Sequence, residues 1–589
     1  MSDSLSLNGV KWLLPDYDLS IIEAYKRQTD LSDSVIRMLL DRDVSDQDSA
    51  VFLDAKIKDY MPDPFVMAGM EAMVSDLSQA IRDKKSIAIL GDFDVDGATS
   101  SAVFYHFLKH CGIEAEIYIP QRLTEGYGPN KKALQALADN GNEIVLMLDC
   151  GTAAHDEVQF ARDIGLDVYI FDHHLADRLP NANHIINPQR EDDESGLTML
   201  AAVGVVFMAC VALNRALEAG APLMAYSDLV ALGTVADIMP LIGINRALVR
   251  TGLKQMENTA HAGLQALIQI GRAEAPFTPY HCGFVLGPRI NAGSRVGDST
   301  YGAKLLTASH DADIQDYVSS LDHWNTTRKE KEAALVEEVF ASLEGQEPEV
   351  MIFHCAENST TGINGLIAGK LSKAHNVPAF VASPEYDADG NIIMWCGSGR
   401  SIAGIDIGAA LQEAANNGLL MKGGGHSMAG GFSVDESKVD AFEAFIRGAL
   451  KVQFEDYEPI LEERCDGLLT VRGASATFLR SVEAIGPFGQ GNREPRFLLR
   501  DVKLFGARRT NGGVGAHIQV KVSDRDGGGA ALSAIAFNVA ETALGDALMN
   551  SNSEHRGFNL VAALEFDYWN RPKDNPAVKL RILDGWYDC

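Results

Sequence analysis

Asp92, Asp94, Asp96, Asp149, His173, His174 and Asp237 are the side chains of this 589-residue chain best suited to hold hard metal ions. All offer carboxylate oxygen or imidazole nitrogen. Mg²⁺ prefers oxygen and water, and Mn²⁺ also accepts imidazole. No cysteine lies among them, which argues against a structural zinc site. Several carboxylates with one or two histidines can hold two metals roughly 3.5–4 Å apart, the arrangement that serves in-line displacement at phosphorus. The densest part is Ile87-Ala-Ile-Leu-Gly-Asp-Phe-Asp-Val-Asp-Gly97, where aspartates at alternate positions follow an apolar run. If that segment stays extended, alternation places its carboxylates on one side. Clustered anions repel unless cations or protons neutralise them. Taken alone, Asp-x-Asp-x-Asp-Gly fits a solvated acidic turn equally well. A calcium loop between two helices starts the same way, but Val103 stands where that loop needs its last acidic ligand.

The elements around these groups say how they would meet. Residues 87–90, 115–120, 143–148 and 166–171 read as short apolar strands with helical patterns between them. That alternation predicts a doubly wound parallel sheet, which places its ligands at the carboxyl ends of its strands. Three of the four strands end in acids, at Asp92, at Asp149-Cys-Gly151 and at Asp172-His173-His174. The helix after the first is expected to begin at Ala98, past Gly97. Asp237 ends the run Leu229-Val-Ala-Leu-Gly-Thr-Val-Ala-Asp. By itself it reads as a helix cap, and two adjacent histidines read as a satisfied turn pair. The company of the other acids changes both readings.

Further along, Leu286-Gly-Pro-Arg-Ile-Asn-Ala-Gly-Ser-Arg295 places two arginines in what reads as a glycine-rich loop. Residues 311–344 read as one long helix, a spacer between two lobes. The second lobe starts near Glu349 and contains Cys396-Gly-Ser-Gly-Arg-Ser401 and Gly423-Gly-Gly-His-Ser-Met-Ala-Gly-Gly431. The glycines around His426 let backbone approach phosphates, although a tight turn explains them equally well. Arg122 and Tyr127 lie in a loop after a strand and could guide the end of a bound strand. From about residue 460, alternating segments such as 517–523 and 532–537 suggest a small β-barrel, with turns at Asn511-Gly-Gly513 and Asp526-Gly-Gly-Gly529.

Composition bounds the rest. The chain is too long for one core, and 46% hydrophobic with 22% charged residues is ordinary for globular domains. The eight scattered cysteines form no Cys-x-x-Cys pair, which suits reduced thiols and a cytoplasmic protein. The N-terminus lacks a signal-peptide pattern, and the longest apolar run, 201–213, is too short to span a bilayer and reads as a buried helix. No membrane association is expected. A net charge of −30 argues against a protein coated in nucleic acid, so any such partner needs a local cationic path.

Gly91-Asp-Phe-Asp-Val-Asp-Gly97, Asp149-Cys-Gly151, Asp172-His-His174 and Asp237 together resemble the four motifs of the DHH phosphoesterases. Gly287-Pro-Arg-Ile-Asn-Ala-Gly293, Gly397-Ser-Gly-Arg-Ser401 and Gly423-Gly-Gly-His426 resemble the later motifs of its RecJ branch. Pro487-Phe-Gly-Gln-Gly-Asn-Arg-Glu-Pro495 resembles the start of that branch's OB-fold, and Trp12-Leu-Leu-Pro-Asp its N-terminal segment. The resemblance implies an α/β fold with a parallel-sheet DHH core, a long connecting helix, a second smaller α/β lobe and a C-terminal OB-fold barrel. The division expected is an N-terminal helical segment (1–60), DHH catalytic domain (61–310), connecting helix (311–345), DHH-associated domain (346–455) and OB-fold (456–589).

It also implies a 5′→3′ exonuclease on single-stranded DNA in repair and recombination, with two divalent metal ions, Mn²⁺ or Mg²⁺. Partners implied are single-stranded DNA with a 5′ end, a helicase and a single-strand-binding protein; the chain itself would be a monomer. The family pattern makes Asp96, Asp149, His173 and Asp237 ligands of one metal, and Asp94 and Asp149 of the other. His174 would face the scissile phosphate and Asp92 brace the loop. Arg289, Ser398 and Arg400 look like the pocket for the 5′-phosphate, with Asn291 and His426 as further substrate contacts; arginine forks suit phosphate oxygens. In the barrel, Phe488, Lys503, Arg508, Arg509 and Lys521 are available for strand binding, with core packing the alternative for Phe488. Three departures stand out: Phe93 where tyrosine is common, Gly399 where alanine is common, and Ser359-Thr-Thr where a Trp-His pair usually precedes Gly362. Two other readings remain: a DHH phosphodiesterase on short oligonucleotides or cyclic dinucleotides, and a replication scaffold that has lost catalysis.

Overall fold

The computed structural model describes residues 5–587 except 123, 127, 344–347, 388, 456–460, 512–515, 527–529, 551–556 and 568–575. It divides into two units. The larger comprises Pro62–Met239 and Thr251–Glu458, the smaller Met1–Met61, Pro240–Arg250 and Pro459–Cys589.

In the larger unit, strands β1 (Ile87–Gly91), β2 (Glu116–Tyr118), β3 (Ile144–Leu148), β4 (Asp167–Phe171) and β5 (His184–Ile186) form a parallel sheet in the order β2-β1-β3-β4-β5. Every residue of β1 and β3 is buried, as the unbroken apolar runs require of strands covered on both faces. The order reverses direction at β1, so the crevice at the strand ends opens between β1 and β3, where ligands of such sheets bind. Strand β5, three residues long, is not expected from the sequence; the other four are.

Helices α1 (Met70–Arg82), α2 (Val95–His110) and α3 (Ala202–Leu217) pack on this sheet, and α4 (Ser227–Ala236) packs on α2 and α3. Phe104 of α2 meets Phe171 of β4 edge to face at 5.1 Å. Burial of each such ring stabilises by roughly 1.5–3 kcal/mol. Helix α2 begins three residues before the expected Ala98, because Asp94 accepts hydrogen bonds from the backbone N–H of Asp96 (2.9 Å) and Gly97 (3.1 Å) and so caps it. The acidic segment therefore stays extended only as far as Asp94.

The stretch read as a glycine-rich loop is instead helix α5 (Gly287–Val296). Pro288 sits at its start, where its missing N–H costs nothing. Its glycines serve close packing: a Cβ on Gly293 would lie 2.6 Å from the Asp298 carbonyl. Helix α6 (Asp311–Ser342) follows, with Asp311 and Asp313 in its first turn, where acids complement the helix dipole. Its later residues Leu335 and Val339 share a core with the second lobe. That lobe holds β6 (Ile352–Cys355), α7 (Thr361–His375), β7 (Ala379–Tyr386), β8 (Ile392–Arg400), β9 (Lys422–His426) and β10 (Ala429–Asp435). Its sheet runs β9-β10-β8-β7-β6, with only β6 and β7 parallel.

In the smaller unit, β11 (Phe497–Asn511), β12 (Ala516–Asp524), β13 (Leu532–Ala536), β14 (Phe558–Asp567) and β15 (Ala577–Tyr587) pair in the order β11-β12-β13-β15-β14. Strand β14 pairs back onto β11, so the sheet closes into a barrel. The two expected turns fall almost wholly outside the described residues. The N-terminal helices share this barrel's core: Ile22, Ile36, Met38 and Leu39 pack with Val520, Leu560 and Leu580. Strand Val10–Leu13 also pairs with Leu461–Arg464. Among the described residues, no helix is long and apolar enough to cross a membrane.

Candidate active site

The acids follow directly from the strand ends. Asp92 continues β1, its N–H bonded to the Leu148 carbonyl of β3 (3.1 Å). Asp149 follows β3, with its N–H on the Phe171 carbonyl (2.9 Å) and a left-handed backbone at φ 61°. Asp172 follows β4 and bonds the Ile186 carbonyl of β5 (3.1 Å). Parallel register thus brings three acidic strand ends to one level. Asp96, in the first turn of α2, is locked by the N-terminus of α3: its carboxylate accepts from Ala202 N (2.7 Å) and Val203 N (2.9 Å). Asp237 ends α4. Two glycines permit this approach. A Cβ on Gly97 would lie 2.3 Å from the Asp92 carbonyl, and one on Gly233 would lie 2.3 Å from Thr99 Oγ1 and 3.2 Å from Asp96 Oδ1.

His173 stands at the centre. Its Nε2 lies 3.4 Å from Asp149, 3.5 Å from Asp237 and 3.8 Å from Asp96. Ligand atoms of Asp96, His173 and Asp237 fall within 4.8 Å of one another, as do those of Asp92, Asp94 and Asp149, and those of Asp149, His173 and His174. The third group shares His173 with the first and Asp149 with the second, so the donors form one continuous cluster joined through His173 and Asp149. His174 Nδ1 is 2.7 Å from Asp172 Oδ1, which also accepts from the N–H groups of His173 (2.7 Å) and His174 (3.2 Å). Asn187 fixes the same loop by donating to the His174 carbonyl (2.9 Å).

Electrostatics set the acids apart from ordinary surface carboxylates. Burial, and then the neighbouring acids, push Asp92 and Asp149 well above the usual carboxylate range and Asp96 and Asp237 to about 7. Asp92 Oδ1 is buried with no hydrogen-bond partner among the described residues. Burial lowers His173; at His174 burial also lowers the ring, but the Asp172 hydrogen bond together with the charges of Asp172, Asp237 and Asp92 outweighs it and raises it to about 9. That same pairing overcomes burial at Asp172 and holds it at about 2. A cluster of buried oxygens with so little counter-charge fits hard divalent cations.

The other expected contacts are distributed as follows. The Arg122 guanidinium stacks over the Phe93 ring at 4.9 Å; burial lowers its pKa, and the charges of Asp92 and Asp94 oppose that shift. Its loop is pinned by Gln121 Nε2 on Asp298 (2.7 Å) and by its own N–H on Ser299 Oγ (3.1 Å). Tyr127 lies outside the described residues. Ser398 and Arg400 project together over α7, where a Cβ on Gly365 would meet Arg400 Nη2 at 2.8 Å and Ser398 Cβ at 3.5 Å. Arg289 donates to Asp322 of α6 (2.8 Å) and to the Val285 carbonyl (2.6 Å). Asn291 keeps a buried Oδ1 without a hydrogen-bond partner among the described residues. His426 ends β9 and is exposed at a hairpin tip.

Three residues gain a role in the structure that the sequence did not assign them, Asp172 and Arg295 having been visible only as parts of their motifs. Asp172 positions His174, Asn187 buttresses it, and Arg295 reaches from α5 to the Gly362 carbonyl at the start of α7. Arg295 is held down to about 10 by burial and then by Arg122. It therefore belongs with Arg122, while Gly365, three residues along α7 from Gly362, touches Arg400. The signal for Arg295 was present, since it closes the same motif as Arg289.

The fold and this cluster define a class. The chain matches the DHH family, N-terminal domain over residues 86–234, the DHHA1 domain over 348–452 and the RecJ OB domain over 465–583. It is 32% identical to the single-stranded-DNA-specific exonuclease RecJ of Salmonella typhimurium, in a match covering 91% of this chain and 93% of that one. The RecJ of Escherichia coli is also 32% identical, over 84% of this chain and 88% of its own length. The crystal structure of Thermus thermophilus RecJ with Mn²⁺ superposes with a TM-score of 0.79 at 25% identity, covering 99% of this chain and 80% of that one. The chain belongs to the family of RecJ single-stranded-DNA-specific exonucleases.

Proposed function

We propose that this chain removes nucleotides from the 5′ end of single-stranded DNA in a metal-dependent hydrolysis. One observation carries the reading: buried Asp92, Asp96 and Asp149, with half-buried Asp94 and Asp237, gather around His173 with more acids than cations among them. Asp96, Asp149, His173 and Asp237 would hold one Mn²⁺ or Mg²⁺, and Asp94 and Asp149 the other. Bound ions of this kind supply a water of lowered pKa and offset charge on the phosphoryl transition state.

The protein does the rest. Asp149 joins the two ligand sets from its left-handed backbone position. Asp92 holds the loop that carries Asp94. Asp172 holds His174 protonated at neutral pH, so that the imidazolium donates to an oxygen of the scissile phosphate. Arg295, Ser398 and Arg400 lie against the first turns of α7, and the Arg122 charge is felt at Arg295. Thr360, the residue before that helix, gives it no side-chain cap, so its leading N–H groups and these guanidinium groups suit a dianionic terminal phosphate better than an internal diester. The 5′ polarity is the reading that the RecJ resemblance implies. Residues 61–310 would carry the chemistry, residues 346–455 would grip the strand end, and the barrel would bind the strand behind it through Lys503, Arg508, Arg509 and Lys521. Phe488 packs against the barrel core. A helicase to open duplex and a single-strand-binding protein are the partners such a substrate calls for, and the protein would act as a monomer in the cytoplasm.

The test is digestion with Mn²⁺ of a long single strand, a blunt duplex and a dinucleotide. Mononucleotides released from the long strand alone support the proposal. Preference for the dinucleotide would favour a short-oligonucleotide phosphodiesterase, and no turnover on any of them a scaffold.

A further inference from the structure

Beside the acid cluster lies an aromatic surface that the chemistry above does not use. Tyr280 and Phe284 are 62% and 71% exposed, and their rings stack at 5.3 Å with an interplanar angle of 21°. They flank the start of a π-helical stretch, His281–Leu286, a conformation that is uncommon and concentrates at functional sites. This stretch packs on α4. A Cβ on Gly283 would lie 3.9 Å from Val235 Cγ1, and one on Gly287 would lie 3.3 Å from Ala236 Cβ and 3.6 Å from Val95 Cγ2. Val235 and Ala236 lead directly into Asp237, and Val95 sits between Asp94 and Asp96. Ile238, the residue after Asp237, is 72% exposed at φ 59°, a backbone state that a β-branched residue holds only under constraint. Large apolar side chains thus stand in water on the stretch that packs against the helix leading into Asp237, and at the residue just after it. A cation adjoins them in the chain: Arg289, which is ion-paired with Asp322 (2.8 Å), also reaches back to the carbonyl of Val285, the residue after Phe284. A flat aromatic stack beside a guanidinium matches a nucleotide, with its base on the rings and its phosphate on the cation.

We infer that Tyr280 and Phe284 form a stacking platform for a nucleobase of the strand held at the candidate metal centre. The inference rests on the single-strand exonuclease reading. Stacking uses the π-face that every base presents, so the platform tolerates any sequence, as an exonuclease that consumes whole strands requires. Both residues are positioning residues; neither touches the reacting atoms.

The test uses the full chain with Mn²⁺ and single strands in which one abasic site is moved stepwise from the 5′ end. With the wild type, an abasic site at one position should lower kcat/KM about tenfold, mainly through KM. Phe284→Ala should lower kcat/KM on the intact strand by a similar factor and lose the abasic penalty, and Phe284→Trp should restore both. The platform is overturned if no position is sensitive, or if the penalty persists in Phe284→Ala. Unchanged kinetics of Phe284→Ala on purified DNA would also overturn it and leave the patch to a protein partner. If the wild type digests no single strand, the exonuclease reading itself fails, and the platform with it.

Discussion

In the smaller unit, Asp466 is buried between two guanidinium groups. Arg493 lies 3.0 Å from one of its oxygens and Arg42 3.5 Å from the other, while Arg493 also meets Asp41 at 2.6 Å. In the larger unit, Asp92, Asp96 and Asp149 are buried as deeply, yet they face one another, Asp237 and an imidazole. The same problem, a carboxylate removed from water, is solved once by protein cations and once left for something else to solve. Buried charge that the protein pairs is architecture, here tying the N-terminal segment to the barrel. Buried charge that the protein leaves in excess is a binding site, held at a cost in stability that ligand offsets.

The comparison can be broken at either end. The largest effect is expected for Asp149→Ala. Hydrolysis of single strands should fall by about 10³-fold or more, because the residue shared by the two ligand sets is lost, while binding of the strand survives. In EDTA the same variant should unfold at a higher temperature than the wild type, since one of several repelling groups is gone. Substantial turnover in Mn²⁺ would contradict the bridging role. Asp466→Ala should do the reverse. It leaves Arg42 and Arg493 without their buried partner and should cost about 3–5 kcal/mol in denaturant unfolding of the barrel unit. A variant as stable as the wild type would show that this pairing is not structural.

A smaller effect is expected at Asp172→Asn. Without its partner the His174 ring falls from about 9, so the imidazolium is lost at lower pH. Activity should drop by roughly 10–100-fold, and the alkaline limb of the pH–rate profile should move down. An unmoved profile would remove His174 from the chemistry. The smallest is a matter of pH. Asp96 and Asp237 have raised values in the folded state, so the metal-free fold binds protons more tightly than the unfolded chain. Their contribution is fully present below the ordinary carboxylate value and is lost as pH rises through about 7. In EDTA the melting temperature of the larger unit should therefore fall by a few degrees between mildly acidic and mildly alkaline buffer. Mn²⁺ should flatten that slope, and a slope unaffected by Mn²⁺ would contradict the account.

Much of the site was legible in the sequence because strand ends announce themselves. An apolar run that stops at an acid places that acid at the sheet edge, and Asp92, Asp149 and Asp172 all obey this. Register, by contrast, is written in no single segment. The meeting of Asp96 with the N-terminus of α3 depends on residues more than a hundred positions apart. The motif around Arg289 misled because its glycines look like loop residues, whereas each serves close helix packing. Asp94 and α2 show the same limit at short range: the cap moved the helix start by three residues and took Asp96 out of the extended segment. The N-terminal helices and residues 240–250 joined the barrel's unit through contacts that amphipathic patterns do not specify.

The central claim is that the acid cluster is the centre of an exonuclease working from a 5′ end. The most direct measurement incubates the protein with Mn²⁺ and a single strand labelled at either end, and follows the first label released as a mononucleotide. The account requires the 5′ label first, with no release by Asp149→Ala. Release of the 3′ label first, or equal release from a blunt duplex, would contradict it.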